Sequence, residues 1–201
     1  MTSKYDAAAE GWSERQYADG EAYLRHRGEL VVALGPRLES GDRVLDLACG
    51  DGGLAAHLPG LDYRGADTSA AMAAAARRRG VDAVEADLND YDPPEPVAAT
   101  TLFRALYYAA DRREFFRRAA GYTEKKLVFD LNPRQYRLEG IRADLVAAGF
   151  DRLDLRPFLV PQTVSFPGLV PFLVALEPTP LGRLALRRRF TWICAASRAS
   201  G

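Results

Sequence analysis

The stretch "VLDLACGDGGLAAHL", residues 44–58, decides the fold of this chain. An apolar run ends at a turn of small residues, and apolar residues at helical spacing follow it, which indicates a strand, a loop and a helix. Gly50 and Gly52 can adopt positive φ and let a ligand approach the backbone without a Cβ in the way. The loop is therefore predicted to bind a ligand; the plainer interpretation is a tight strand-to-helix turn.

Further strands and helices alternate after this loop. The units start at the strand "DYRGAD", at "VDAVEADLNDYDPPEP", at "VAATTLFRAL" and at "KKLVFDLN". Helices are predicted over 70–79, around "DRREFFRRAAGY" and over 138–148. Thr68 and Ser69 are the predicted cap of the first of these helices. This alternation predicts an open, mostly parallel α/β sheet with right-handed crossovers. Ligands of such sheets lie at the carboxyl ends of the strands, where the strand order reverses.

The two ends of the chain differ from this repeat. Between Asp19 and Gly35, Leu24, Leu30, Val31 and Leu34 recur at helical spacing and predict a helix of three or four turns. Near the other end, "DRLDLRPFLV" and "LRRRFTWICAAS" predict an antiparallel pair of strands joined by a Pro-rich segment. We expect one domain over 1–201, with N-terminal lid helices in 1–39, a core of 40–159 and 186–201, and an inserted cap in 160–185.

Composition and sequence patterning argue against several classes of protein. Basic and acidic residues balance at 27 each, so no overall charge gathers nucleic acid. The longest apolar stretch, "GLVPFLVAL", has about half of the roughly 20 residues that a membrane span needs. The N-terminus lacks a signal-peptide pattern, which predicts a cytoplasmic protein. The two cysteines lie outside any CxxC motif or Cys/His cluster, which argues against structural zinc, and we expect no metal.

The loop alone fits two kinds of cofactor. "GDGGLA" satisfies the dinucleotide pattern G-x-G-x-x-[G/A], which makes a nicotinamide-dependent oxidoreductase an alternative function. Asp46 argues against it, because a carboxylate there would repel a pyrophosphate, whereas it would accept the ammonium of a methionyl group. "VLDLACGDG", "YRGADTSAAM" and "VEADLND" resemble the first three motifs of class I S-adenosylmethionine-dependent methyltransferases, although Ala48 stands where that family often has Gly.

This resemblance covers about residues 40–132 and implies a Rossmann-like, doubly wound sheet of seven strands with an antiparallel C-terminal hairpin. It implies S-adenosylmethionine as cofactor, S-adenosylhomocysteine as product and a small-molecule acceptor that is methylated on O or N in natural-product or secondary metabolism. Asp67 would bind the ribose hydroxyls, and Asp87 and Leu88 the adenine; a helix-capping acid and a solvated loop acid are the plainer interpretations. The other expected cofactor residues are Asp46, Ala48, Cys49, Gly50, Asp51, Gly52, Thr68, Met72, Phe103, Arg27 and Tyr17.

The N-terminal segment adds two expectations. Arg27 lies on the apolar face of the predicted helix, so it is expected to be buried and to bind an anion such as the cofactor carboxylate; otherwise its head group snorkels to solvent. Trp12 and Tyr17 resemble the lid of small-molecule methyltransferases, with Trp12 near the acceptor. They could instead staple the first helix hydrophobically.

The acceptor side departs from the family's usual fourth motif. "TLFRALYYAAD" places Arg104, Tyr107 and Tyr108 at a strand end, and these three are the predicted catalytic residues. Arg104 would bind an acidic acceptor or pair with a local aspartate. Asn132, Arg134 and Tyr136 follow the fifth strand and are predicted to contact the acceptor, although Asn132 can simply cap the turn before Pro133.

Only His26 and His57 titrate near neutral pH, and neither is predicted to be the base. The acceptor is therefore expected to be already nucleophilic, as an amine, an acidic phenol or a carboxylate is, or to lose its proton through a tyrosine relay at Tyr107 or Tyr108. The 160–185 segment could cover a lipophilic acceptor, contact a second copy of the chain, or bring Arg187, Arg188 and Arg189 to lipid head groups; a half-solvated strand is the favoured interpretation of these arginines. A non-catalytic cofactor-binding partner protein also stays open.

Overall fold

The structure is a computed structural model that describes residues 9–185 and 191–199. Its centre is a seven-stranded sheet in the order β3-β2-β1-β4-β5-β7-β6. The first five strands run parallel, and β7 lies antiparallel between β5 and β6. This confirms the predicted fold. The strands are β1 (Arg43–Leu47), β2 (Asp62–Asp67), β3 (Asp82–Glu85), β4 (Val97–Leu102), β5 (Thr123–Leu131), β6 (Arg152–Phe158) and β7 (Thr191–Ser197).

Helices cover the sheet. They are α1 (Trp12–Gln16), α2 (Gly20–Ala33), α3 (Ala70–Arg78), α4 (Arg112–Tyr122), α5 (Leu138–Ala147), α6 (Val170–Leu176) and α7 (Pro180–Ala185). The predicted helix after the first loop is a short 3-10 helix, Gly53–His57. Five residues separate Gly52 from the Leu58–Pro59 end, which leaves too little chain for a regular α-helical ladder before the proline.

The two faces of the sheet bury separate clusters. Leu127 and Phe129 of β5 pack on one side with residues of α4 and α5, including Phe116 and Ile141. Val128, between them in sequence, packs on the opposite side with residues of α2. Because successive strand residues alternate between faces, β5 is apolar throughout its centre, as expected for a strand covered on both sides.

Helix α2 has the boundaries and the buried face that its sequence predicts. Asp19 accepts a hydrogen bond from the Ala22 amide at 3.0 Å and caps the first turn. At the other end, the buried Lys126 of β5 donates to the carbonyls of Val32 (3.0 Å) and Leu34 (2.8 Å). These carbonyls lack helical partners, so Lys126 fixes the end of α2 against the sheet, and burial lowers the pKa of Lys126 to about 8.

The segment between β6 and β7 joins the lid region. Glu177 is buried and accepts hydrogen bonds from the Leu159 amide and the His26 Nε2, both at 2.8 Å. Ala18, just before α2, donates its amide to the Gln162 carbonyl at 2.9 Å. The predicted arginine stretch at Arg187, Arg188 and Arg189 lies outside the described residues. In the described ranges, no helix is long and apolar enough to cross a membrane.

Candidate functional site

A cavity of about 510 Å³ opens at the carboxyl ends of β1, β2 and β4. The strand order reverses between β1 and β4, which is where sheets of this kind bind ligands. Most of the residues that the sequence singles out line this cavity. They are Trp12, Tyr17, Arg27, Asp46, Ala48, Cys49, Gly50, Asp67, Thr68, Met72, Asp87, Leu88, Phe103, Arg104, Tyr107 and Tyr108.

Asp67 joins the loops that follow β1 and β2. One carboxylate oxygen accepts the Gly50 amide at 2.9 Å, and the other accepts the Ser69 amide at 2.9 Å. Gly50 has a positive φ of 58°, which suits glycine and exposes the backbone to the cavity. Burial raises the pKa of Asp67 above its usual range, while the two backbone amides lower it. Each oxygen keeps a lone pair, so the carboxylate can still accept the two hydroxyls of a vicinal diol.

Asp46 is the second acid of the cavity and lies at the end of β1. Its two oxygens accept from the Tyr63 hydroxyl at 2.5 Å and the Thr101 hydroxyl at 2.6 Å. Burial raises the pKa of Asp46 to about 6, although both hydroxyls favour the charged form. The two hydroxyls thus hold a buried carboxylate beside the cavity, where a cationic ligand group would stabilise its charge. The sequence analysis did not single out Tyr63 or Thr101.

The third strand contributes a compact loop. Asp87 accepts hydrogen bonds from the Asn89 amide (2.9 Å) and from its side chain (2.7 Å), while Leu88 is buried. Asn89 also accepts from the Ala110 amide at 2.8 Å and donates to the Tyr108 carbonyl at 3.2 Å. Asn89 lines the cavity, and sequence reasoning missed it. It links the loop after β3 to the tyrosine pair.

Arg27 forms part of the cavity wall and is only 4% exposed, as its position on the apolar face predicts. Its guanidinium carbon lies 4.3 Å from the centre of the Phe103 ring and 4.7 Å from that of Tyr23. Nη2 donates to the Tyr23 hydroxyl at 2.9 Å, whereas Nε has no hydrogen-bond partner among the described residues. A buried cation with an unused donor is well suited to bind an anionic group of a ligand.

Two residues of the first loop lie elsewhere than expected. Asp51 and Gly52 do not line the cavity that the structure describes. Gly50 and Gly52 both adopt positive φ, so the loop turns sharply and directs Asp51 to Ser13 and Arg79. Gly52 packs against Ala76 and Val81 instead. These two residues therefore do not have the geometry of direct cofactor contacts.

Arg104, Tyr107 and Tyr108 form the outer wall. Arg104 has a φ of 55°, which is unusual for a residue with a Cβ, and its amide donates to Asp130 at 2.6 Å. Asp130, at the end of β5, is partly buried, and desolvation raises its pKa; no role for it was predicted from the sequence. The Tyr107 and Tyr108 rings lie 4.3 Å apart and are 54% and 46% exposed.

The predicted acceptor residues after β5 lie outside the cavity lining. The Asn132 side chain accepts the Arg134 amide at 3.0 Å, which is the turn-capping alternative that the sequence also allowed. Tyr136 packs against the core, with the Arg112 guanidinium carbon 5.8 Å from its ring centre. The turn carries the chain towards α5, so the geometry does not support Asn132, Arg134 and Tyr136 as acceptor contacts.

Neither histidine lines the cavity, as far as the described residues define it. His26 interacts with Glu177 and, at 3.1 Å, with Glu29, and these acids raise its pKa against the opposing effect of burial. His57 lies 3.8 Å from Glu21. Within residues 9–185 and 191–199, no three His, Cys, Asp or Glu side chains are grouped to hold a metal ion.

Known proteins share the part of the chain that forms this cavity. Residues 44–126 match a family model described as "Methyltransferase domain". The trans-aconitate 2-methyltransferase of Rhodococcus jostii (strain RHA1) is 34% identical over 113 residues, which cover 53% of this chain and 43% of that protein. The chain thus spans less than half the length of the curated relatives it matches.

Solved structures extend the similarity to the whole fold. A chain of the Haloferax volcanii complex between the Trm112 methyltransferase activator and its partner has a TM-score of 0.66 and 18% identity, with both chains covered completely. Phosphoethanolamine N-methyltransferase 2 of Haemonchus contortus, bound to phosphomonomethylethanolamine and S-adenosylhomocysteine, has a TM-score of 0.60 and 18% identity over 94% of this chain and 59% of that one. The chain thus resembles methyltransferases in the sequence of residues 44–126 and, across its length, in fold.

Proposed function

We propose that this chain binds S-adenosylmethionine in the cavity and methylates a small molecule that carries a carboxylate. The arrangement of Asp67 is the observation that carries the cofactor half of the proposal. Its carboxylate lies at the end of β2, the strand next to the switch point, and is held by the amides of Gly50 and Ser69, beside backbone that a ligand can approach. This is a site for a ribose diol next to a loop without side-chain obstruction.

The remaining contacts follow from the chemistry of the cofactor. Asp46 would attract the ammonium group, and Arg27 would bind the carboxylate through its unused Nε donor. Leu88 and Met72 would pack on the adenine, with Asp87 and Asn89 at its polar edge. Support comes from the Haemonchus contortus relative in fold, whose structure contains S-adenosylhomocysteine.

When bound, S-adenosylmethionine supplies an electrophilic methyl group on a sulfonium. The chain then has to align the acceptor with that group and exclude water. Trp12 and Tyr17 cover one side of the cavity, while Tyr107 and Tyr108 border the other. No imidazole lines the described cavity, which favours an acceptor that brings an ionised or unprotonated nucleophile over one that passes its proton to Tyr107 or Tyr108.

A carboxylate meets this requirement, because it is ionised at neutral pH and needs no base. Arg104 lines the acceptor side and carries the positive charge that would orient it. The similarity to trans-aconitate 2-methyltransferases, whose name specifies a carboxylic acid substrate, supports the same class of acceptor. Amines and acidic phenols are the next candidates.

The nicotinamide-dependent alternative is disfavoured by the helix after the loop. A pyrophosphate needs free amides at a helix N-terminus. Here that helix is a 3-10 helix of five residues, and a Cβ on its first residue, Gly53, would collide with the Ser13 side chain. The helix start is therefore covered by α1.

The test is direct binding followed by turnover. Isothermal titration calorimetry of the purified chain should detect S-adenosylhomocysteine and no NAD or NADP. Methyl-labelled S-adenosylmethionine should then label a member of a panel of di- and tricarboxylates, with amines and phenols as the comparison panels. Binding of NAD in place of S-adenosylhomocysteine would overturn the cofactor assignment; labelling confined to amines or phenols would overturn the carboxylate assignment. Binding without labelling in any panel would support a non-catalytic role.

A further inference from the structure

We propose that Asp51 is a positioning residue that fixes helix α1 over the cavity through Ser13 and Arg79. The inference rests on the proposed function in one respect: the ligand of the cavity is taken to be S-adenosylmethionine or its product. It assigns Asp51 a role different from the cofactor contact that its place in the loop motif suggests.

The contacts of Asp51 connect three separate parts of the chain. The Asp51 side chain is buried, and its Oδ2 accepts the Ser13 amide at 3.0 Å and the Arg79 Nη2 at 2.9 Å. Its Oδ1 accepts the Ser13 hydroxyl. Arg79, just after α3, also donates to Glu14 Oε1 at 2.7 Å. One carboxylate and one guanidinium therefore hold two consecutive residues of α1.

Helix α1 depends on such contacts because it has only five residues. A helix of this length has no stability of its own in water, so tertiary contacts must determine its position. Two glycines permit the close approach. A Cβ on Gly53 would collide with the Ser13 side chain, and a Cβ on Gly20 would lie 3.1 Å from the Ser13 carbonyl oxygen. Ser13 is thus the residue of α1 that packs most closely against the neighbouring backbone at Gly20 and Gly53.

The position of α1 matters because two of its residues line the cavity. Trp12 and Ser13 both do so, and the Trp12 Cδ1 atom lies 3.6 Å from where a Cβ of Gly50 would be. Displacing α1 would uncover the first loop. It would also break the two hydrogen bonds that Ser13 donates to the Asp51 carboxylate. Asp51 thereby favours the covered cavity.

Trp12 provides a direct measurement of this position. The chain has two tryptophans, so Trp192→Phe leaves Trp12 as the sole tryptophan, which can be excited selectively over the tyrosines. In this background we compare Asp51→Asn and Ser13→Ala with Asp144→Asn. Asp144 is a matched control, since it is a buried aspartate paired with Arg112 and Arg113 and lies outside the cavity lining.

Acrylamide quenching of Trp12 is measured first, without any ligand, and dissociation of S-adenosylhomocysteine by stopped flow second. Asp51→Asn and Ser13→Ala should raise the quenching constant about twofold and the dissociation rate about tenfold, the loss expected for charge-assisted hydrogen bonds. Asp144→Asn should lower the melting temperature without either change.

The inference is overturned if folded Asp51→Asn and Ser13→Ala proteins keep the parental quenching constant and dissociation rate. It is also overturned if Asp144→Asn changes both values as strongly, since a general loss of stability would then explain them. Failure of the parental protein to bind S-adenosylhomocysteine would count against the proposed function alone. The quenching comparison needs no ligand and would still decide the role of Asp51.

Discussion

The two walls of the cavity are built in different ways. The wall at the ends of β1 and β2 consists largely of backbone that acids hold in place, as Asp67 does with the Gly50 and Ser69 amides. The wall beyond β4 consists of large side chains, Arg104, Tyr107 and Tyr108, two of which are about half exposed. The first wall is thus preorganised for one ligand, whereas the second can change its specificity by changing side chains.

The largest expected effect is on the preorganised wall. Asp67→Ala removes a carboxylate that holds two backbone amides and is proposed to accept the ribose hydroxyls. Hydrogen bonds to charged groups contribute about 1.5–3 kcal/mol each, so affinity for S-adenosylhomocysteine should fall by roughly 100-fold or more. Calorimetry measures this loss.

Asp62→Ala is the matched control for Asp67→Ala. Asp62 begins the same strand, is more exposed, and pairs with Arg43 at 2.9 Å away from the cavity. Its substitution should leave the affinity unchanged. Equal affinity in Asp67→Ala and the parental protein would contradict the proposed ribose site.

The next effect belongs to the side-chain wall. Arg104→Met keeps the length of the side chain and removes its charge. We expect kcat/KM for a carboxylate acceptor to fall about 20-fold, mainly through KM, as for the loss of one charge-assisted contact. The dissociation constant of S-adenosylhomocysteine should change little, and Arg104→Lys should recover part of the activity. If Arg104→Met weakened S-adenosylhomocysteine binding as much as it lowered kcat/KM, the two walls would not have separate roles.

Much of the fold and of the first wall could be predicted from the sequence. Strand and helix periodicity, with caps such as Asp19 and Ser69, defines the elements locally. Gly50 and Asp67 come together because they follow neighbouring parallel strands, whose carboxyl ends share one edge. A sequence motif records such contacts because they depend on the order and spacing of short units.

The rest depends on packing between distant segments. Asp51 is bound by Ser13, 38 residues earlier, and the turn that directs it there needs the actual φ values of two glycines. The turn at Asn132 is likewise capped by a side-chain hydrogen bond that the sequence offered only as an alternative, and Arg134 and Tyr136 after it do not line the described cavity. Tyr63 and Thr101 lie within the quoted motifs, but the role of their hydroxyls depends on the strand pairing that brings both to Asp46.

Titration of Asp46 should make both the stability of the protein and the ligand affinity of the first wall depend on pH. Burial raises its pKa from 3.8 to about 6, so folding favours the protonated form, and the free energy of unfolding should fall as pH rises from about 4 to about 6. The ionised form attracts the ligand ammonium, so affinity should fall about tenfold between pH 7 and pH 5. Titrations of S-adenosylhomocysteine across this range measure the dependence.

Asp46→Asn should abolish most of this pH dependence of binding. Asp67 also has a raised pKa and lines the same cavity, so the parental profile alone does not assign the titrating group. A profile in Asp46→Asn that still falls as steeply between pH 7 and pH 5 would attribute the effect to Asp67. Asparagine retains an oxygen acceptor, which limits structural change around Tyr63 and Thr101.

The smallest effect is expected at Asp87. This acid is exposed, and its Oδ1 already accepts two hydrogen bonds from Asn89. Asp87→Asn keeps an oxygen that can hold the loop, so affinity for S-adenosylhomocysteine should fall only about threefold, consistent with one solvent-exposed polar contact. Asn89→Ala should have the larger effect of the two, because it releases both the Asp87 loop and the Ala110 amide. A larger loss of affinity in Asp87→Asn than in Asn89→Ala would make the Asp87 carboxylate a direct and dominant adenine contact. The first wall would then depend on an exposed charged side chain as much as on its buried backbone.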